Sequence, residues 1–272
     1  ATYALNGFGC IGNEIVSFTR VDDGFALTGR GIKGTEAKTH SVGDSFQECY
    51  AVADALLSEV VAELLTDYAG IDASYINQTA WDTETTRWLN GLKIETVIPK
   101  PTGVLTLLAE LARHGVSIWW DSVNQKIEYR LNRLVDVTDT VASLSDAANI
   151  LEGSSQIKDK PDLRLSQVVI YHGMIDFAGS ATNPENFGRA SAAVDLESEG
   201  ADQYDQSQFT TMFSRWIAPG SDSAALAIVK RAVLRYRNIP ADVSFLVDAK
   251  DVASVGLGGL LNITSRLLQD DT

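Results

Sequence analysis

The spacing of Gly7, Gly9 and Gly12 matches G-x-G-x-x-G, the pattern of loops that hold the pyrophosphate of a dinucleotide. That chemistry requires a strand before the loop and a helix after it, because the helix N-terminus binds the phosphates. Residues 15–21 instead alternate apolar and polar side chains with many β-branched residues, and Asp22-Asp23-Gly24 is typical of a turn. The sequence therefore predicts a β-hairpin here and no dinucleotide cofactor.

The other side chains that could take part in catalysis or bind a metal, the histidines, cysteines and carboxylates, are scattered along the sequence. The histidines at 40, 114 and 172 lie far apart, and His172 falls within an alternating strand, which predicts a hydrogen-bonded structural role. Cys10 and Cys49 are too few for a disulfide framework or a zinc site, so we expect two reduced, partly buried thiols. We expect no catalytic residues, no metal and no cofactor. A carboxylate pair for glycoside hydrolysis stays open, because it needs only two acids that the fold brings together.

The charge balance limits the partners. The 272 residues include 36 acidic and 22 basic side chains, which gives a net charge of −14. Such a chain repels nucleic acid and anionic membranes at long range, so we expect no specific nucleic-acid binding. Its apolar runs are shorter than the roughly 18 residues of a membrane span, so we expect no membrane insertion.

The clearest folding unit extends from Pro99 to Arg133. Thr102 is predicted as the N-cap of a helix. The apolar face of this helix has the spacing i, i+3, i+4 and i+7: Val104, Leu107, Leu108 and Leu111. Alternation then predicts a hairpin that turns after Asp121 and carries Trp119 and Trp120 on opposite faces. Because a hairpin alone is marginal in water, we expect it to pack on the helix. We also expect at least one tryptophan in the core and the other against a second element.

The remaining periodicities predict a mixed α+β chain with three regions. Residues 1–45 form part of an N-terminal β domain, and residues 46–152 form an α/β helix-hairpin domain that begins with a long amphipathic helix at 46–68. Residues 153–272 form a C-terminal α+β domain with a strand at 163–174 and a helix capped by Ser221. The sequence stops in what the pattern predicts as an interrupted strand and turn, so we expect this last domain to be truncated and the chain to be a fragment.

Five stretches of this sequence, taken together and in their order along the chain, resemble stretches of one protein family. They are LTGRGI at 27–32, the helical run at 53–71, the Pro-Thr, helix and Trp-Trp-Asp hairpin at 99–130, TMFSRWI at 211–217, and the C-terminal run from 233. In this order the chain resembles the tail hub, or tail-tip, proteins of bacteriophages and prophages. Family members commonly carry Gly-Asp before the last strand, where this chain has Gly258-Gly259.

The resemblance implies a structural virion protein of the tail tip or baseplate hub that closes the tail tube and links it to the host-contacting parts. It implies β-barrel-like domains with an α/β insertion, a homo-oligomeric ring with a trimer favoured, and other phage tail proteins as partners. The protein would be made in the cytoplasm of the bacterial host and reside in the virion tail. Seven hallmark residues would be structural or interfacial: Pro101, Thr102, Trp119, Trp120, Asp121, Arg215 and Trp216.

An alternative from another class stays open. The five tryptophans and the carboxylate-rich loops also suit a tail-tip cell-envelope glycan hydrolase or saccharide-binding module. A hydrolase would need a cleft with two carboxylates about 5 to 9 Å apart beside an exposed tryptophan.

Overall fold

The computed structural model describes residues 3–90, 92–133, 135–137, 139–248, 250 and 256–267. The strands are β1 Asn6–Ile11, β2 Glu14–Val21, β3 Gly24–Gly29, β4 Phe46–Glu48, β5 Tyr50–Leu56, β6 Lys93–Ile98, β7 Val116–Asp121, β8 Lys126–Leu131, β9 Val141–Ser145, β10 Gln156–Asp159, β11 Gln167–Met174, β12 Phe187–Val194, β13 Phe209–Phe213, β14 Ala241–Ser244 and β15 Leu260–Thr264. The α-helices are α1 Leu57–Glu63, α2 Gln78–Trp88, α3 Val104–Ala112, α4 Leu196–Glu199 and α5 Asp222–Tyr236.

The N-terminal glycine motif lies in a four-stranded antiparallel sheet with the order β3-β2-β1-β4. The residues after Gly12 form β2, which pairs back onto β1, so no helix N-terminus follows the motif. The aromatic rings of Phe18, Phe25 and Phe46 pack against one another at centroid distances of 4.5 to 5.3 Å. The predicted hairpin is confirmed, since β2 pairs antiparallel with β3 across the turn at Asp22 and Asp23.

The C-terminal half is built around β11. This strand pairs antiparallel with β12 and parallel with β13, and α5 packs across the sheet. The strand predicted at 163–174 is confirmed from Gln167 onward, and the helix begins directly after Ser221 as predicted. The hydroxyl of Ser221 makes no capping hydrogen bond, and its backbone carbonyl accepts from the amides of Ala224 and Ala225, both at 3.1 Å.

The long helix predicted at 46–68 is wrong in its first half. Residues 46–56 form β4 and β5, and the α-helical turns begin only at Leu57. The reason is a partner distant in the sequence, since β5 pairs antiparallel with β6 across an irregularity between Val52 and Ala55. Local periodicity cannot report such a partner, and strand pairing here overrides helical spacing.

One large apolar core connects the two halves of the chain. It unites side chains from five elements and from the segment after β13: Leu57, Val60, Ile94, Leu111, Ile170, Trp216 and Val229. These residues come from both sides of the predicted boundary at 152/153, and the three-domain division stays a prediction.

The α+β class is confirmed. The described ranges contain open sheets of two to four strands, and none of these sheets closes into a barrel. The barrel-like domains implied by the resemblance therefore do not appear in these ranges, because so few strands cannot curl around an enclosed interior.

Candidate functional site

Helix α3 organises the largest group of predicted hallmark residues. Glu110, on the last turns of α3, accepts hydrogen bonds from Nε and Nη2 of Arg215, both at 2.9 Å. The indole Nε1 of Trp216 donates to the same carboxylate at 3.0 Å, and this tryptophan is only 1% exposed. The backbone carbonyl of Trp216 also accepts from Glu95 on β6. Arg215 and Trp216 thus connect α3 to the segment after β13, and their status as hallmark residues stays a prediction.

Pro101 and Thr102 precede α3, but the predicted capping role of Thr102 is wrong. The N-cap is Gly103, whose carbonyl accepts from Thr106 N at 2.9 Å. The Thr102 hydroxyl donates instead to the carbonyl of Lys100 at 3.0 Å. Thr102 lies one residue before the N-cap, and its side chain bonds to no amide of the helix. Pro101 and Thr102 line a cleft of about 620 Å³ together with Tyr50, among other residues.

The hairpin forms as predicted, with Trp119 opposite Glu128 and Trp120 opposite Ile127. The expectation that one tryptophan lies in the core is wrong, because Trp119 is half-buried and Trp120 is 48% exposed. The buried aromatic pair of this region comes instead from α2 and β8, where Trp81 stacks on Tyr129 at a centroid distance of 5.2 Å.

Both hairpin tryptophans contact a second element, whereas we expected this of only one of them. The Trp119 ring lies so close to Gly258 that a Cβ there would come within 2.2 Å of its Cζ2. Trp120 contacts Tyr75 edge to face at 5.4 Å. The Asp121 carboxylate accepts from the Asn124 amide and from the backbone of Val123, and these hydrogen bonds hold its pKa below the usual range. Asp121 therefore stabilises its own turn.

The hallmark residues do not converge on one site. Trp119 lines a cleft of about 600 Å³, Pro101 and Thr102 line a second, and Arg215 lines a third of about 220 Å³. This dispersion is typical of residues that join elements of a scaffold.

Two histidines bond to serines that the sequence did not suggest as partners. His114 Nδ1 donates to the carbonyl of Leu111 at 3.1 Å, so its Nε2 accepts from the Ser214 hydroxyl at 2.7 Å. Burial lowers the pKa of His114 to about 4, which keeps the ring neutral. His114 and Ser214 are only 3% and 1% exposed, so this pair offers no surface to a substrate.

His172 likewise lies near a serine and a carboxylate. Its Nε2 is 3.1 Å from Ser191 Oγ and 3.5 Å from Asp222 Oδ1. A hydrolytic triad places the serine and the acid on different ring nitrogens, whereas here both approach the same one. His172 is fully buried, in agreement with the structural role predicted for it.

A buried carboxylate that sequence reasoning missed anchors the loop after β3. The Glu14 side chain is fully buried, and its carboxylate accepts hydrogen bonds from Arg30 and from the backbone amides of Gly31 and Lys38. His40 Nε2 lies 2.7 Å from the same carboxylate. The Arg30 guanidinium, followed by the amides and His40, holds the pKa of Glu14 far below its usual range despite burial. The sequence feature that could have indicated this buried carboxylate is the position of Glu14, a lone acid at the start of an alternating apolar strand.

Within the ranges that the structure describes, no group of three His, Cys, Asp or Glu side chains is arranged to hold a metal ion. Among the described helices, none combines the length and the apolarity that a bilayer span needs.

No family model matches the chain, and no curated protein matches it. Among solved structures, the chain is similar to the 43 kDa tail protein of prophage MuSo2 from Shewanella oneidensis, with 13% identity and a TM-score of 0.44 over 98% of this chain and 86% of that one. It is also similar to prophage tail protein gp18 from Listeria monocytogenes EGD-e, with 14% identity and a TM-score of 0.38 over 90% and 75% of the two chains.

Proposed function

We propose that this chain is a structural component of a phage or prophage tail tip or baseplate hub, where it closes the tail tube and links it to the host-contacting parts. The proposal includes a homo-oligomeric ring, with a trimer favoured, and other tail proteins as partners. It assigns the chain no enzymatic activity and places it in the virion tail.

The observation that carries the proposal is the mutual contact of the stretches that share the resemblance. Arg215 and Trp216 of the 211–217 stretch bond to Glu110 on α3, and the helix of the 53–71 stretch packs against α3. Trp119 of the hairpin contacts Gly258 of the C-terminal run. Chance matches along a sequence have no reason to meet in the fold, so their contacts support a shared scaffold.

The sheets also favour assembly with other chains. Four of the described sheets have only two strands, and unpaired strand edges are templates for pairing with another chain. Val194 and Phe209 flank Gln167 at one end of the three-stranded sheet, and both are about half exposed. Exposed apolar side chains at a sheet end suit a protein interface.

Deletion of the gene from its phage or prophage tests the virion role. We expect electron microscopy of the induced lysate to show particles without a closed tail tip, and gold-labelled antibody to mark the distal end of wild-type tails. The wild-type gene should restore infectivity, and so should Glu185→Ala, which changes an exposed acid away from α3. Normal, infectious tails after deletion would refute the proposal.

Light scattering of the purified protein tests the oligomer. A trimer has three times the 29.4 kDa mass of one chain. A monomer in solution would contradict the ring, whereas release of sugars from purified cell envelopes would favour the hydrolase alternative.

A further inference from the structure

A groove lined by arginines separates the β7–β8 hairpin from the C-terminal half of α5. Its larger part is the cleft of about 600 Å³ beside Trp119, and a neighbouring part of about 200 Å³ shares Asn132 and Tyr236 with it. We call this the arginine groove. Five arginines line it: Arg113, Arg130, Arg133, Arg231 and Arg235. No carboxylate lies among the described residues that line either part, although acids outnumber bases in the whole chain.

Two of the arginines form ion pairs with carboxylates that do not line the groove. Arg133 pairs with Asp139 at 2.6 Å and with Glu84 at 2.8 Å, and Arg130 reaches Asp139 at 3.3 Å. Arg130 also donates to the carbonyl of Gly258 at 3.0 Å. These contacts fix the positions of both guanidinium groups and contribute little net charge to the groove.

The other three arginines are not held in ion pairs of this kind, although the charge of Glu84 acts on Arg231 at longer range. In the described ranges, no carboxylate forms an ion pair with Arg113, Arg231 or Arg235. The Arg231 guanidinium donates to the backbone carbonyl of Trp88, and burial lowers its pKa. Three cations without an ion-paired carboxylate among the described residues, beside one cleft, create a positive potential that attracts an anion.

Helix dipoles explain only part of this arrangement. Arg113 is the C-cap of α3 and Arg235 lies in the last turn of α5, where the helix dipole favours a cation. This effect does not account for Arg231, which lies one turn earlier and is partly desolvated, nor for the lack of carboxylates along the groove.

The rest of the lining indicates the body of the ligand. Trp119 and Tyr236 offer aromatic surface, and Ser117 and Asn132 offer neutral hydrogen-bonding groups. The volume falls within the roughly 300–1,000 Å³ range of small-molecule sites. Aromatic side chains pack on the apolar face of a sugar ring, and arginine binds carboxylates through two parallel hydrogen bonds.

We propose that the arginine groove binds an anionic saccharide whose rings carry carboxylate groups. This inference goes beyond the tail role and does not depend on it.

Calorimetric titration of the whole chain with trigalacturonic acid tests the proposal. We expect binding that weakens with added salt, and a neutral galactose trisaccharide should bind at least about tenfold more weakly. Arg113→Ala and Arg235→Ala each remove an exposed cation and should weaken binding about tenfold, equivalent to about 1.4 kcal/mol. Lys230→Ala, an exposed cation on α5 outside the groove lining, should leave the affinity unchanged.

Tryptophan fluorescence locates the bound sugar. We expect the acid trisaccharide to change the emission of the wild-type protein, and Trp119→Phe to remove most of that change while binding persists. Absence of binding would overturn the proposal, as would equal affinity for the neutral sugar, for inorganic phosphate or for hexaglutamate. An equal loss of affinity in Lys230→Ala would also overturn it.

Discussion

Removal of the Glu110 carboxylate should destabilise the protein through two neighbours at once. Glu110→Ala takes away the acceptor of the buried Trp216 indole N–H and the partner of Arg215. The indole N–H is then left without a hydrogen bond in an apolar environment. The guanidinium, which is 13% exposed, loses its two charged hydrogen bonds.

The magnitude follows from burial. An unsatisfied buried donor costs about 1–3 kcal/mol. The Glu110–Arg215 pair, at 25% and 13% side-chain exposure, lies between a surface pair worth about 0–1 kcal/mol and a buried pair whose disruption costs about 3–5 kcal/mol. We therefore expect Glu110→Ala to lower the free energy of unfolding by about 2–4 kcal/mol.

A double-mutant cycle with Arg215→Ala separates the two contributions. Urea unfolding, followed by tryptophan fluorescence, should give a coupling energy between Glu110 and Arg215 of about 1–2 kcal/mol. Glu185→Ala, which removes an exposed carboxylate, should change stability by less than about 0.5 kcal/mol. A coupling energy below about 0.5 kcal/mol, or a Glu110→Ala loss no larger than the control, would refute the role given to this carboxylate.

Two further predictions concern pH and backbone packing. The pKa of His114 is about 4 in the folded protein and about 6.5 in the unfolded chain, so the unfolded chain binds the proton first as the pH falls. The contribution of neutral His114 to the free energy of unfolding is therefore fully present above pH 6.5 and is lost as the pH drops. Urea unfolding should lose about 2 kcal/mol between pH 7 and pH 5, and an unchanged pH slope in His114→Gln would contradict this. Gly34→Ala would place a Cβ 1.5 Å from the Ile175 carbonyl oxygen, whereas Gly70→Ala, at a similar positive φ, meets no atom within 4 Å. We expect a loss of about 1 kcal/mol for Gly70→Ala and at least about 2 kcal/mol more for Gly34→Ala, and equal urea midpoints would contradict that difference.

Elements whose stabilising contacts are local were predictable from the sequence. The β2–β3 and β7–β8 hairpins and α5 form where alternation, turn residues and helical spacing predict them. The first half of the 46–68 segment was not predictable, because its strand pairs with β6 more than 35 residues away along the chain. Thr102 also illustrates the limit, since a one-residue shift at the start of α3 moves the cap to Gly103.

The hallmark residues were found by resemblance, but their partners were not. The sequence contains Glu110 as one of 36 acids, and nothing local distinguishes it from the others. Only the fold brings Arg215 and Trp216 to it across more than 100 residues. The same holds for the serines beside His114 and His172, and for the arginines of the groove.

By itself, the sequence determined the mixed α+β class, the hairpin in place of a dinucleotide loop, and the opposite orientation of Trp119 and Trp120, because each follows from side-chain periodicity along one segment. The tertiary structure decided which of these side chains are buried, which charges are paired, and where arginines gather without acids. Those properties depend on distances between segments far apart in the chain, and neither residue type nor spacing encodes such distances directly.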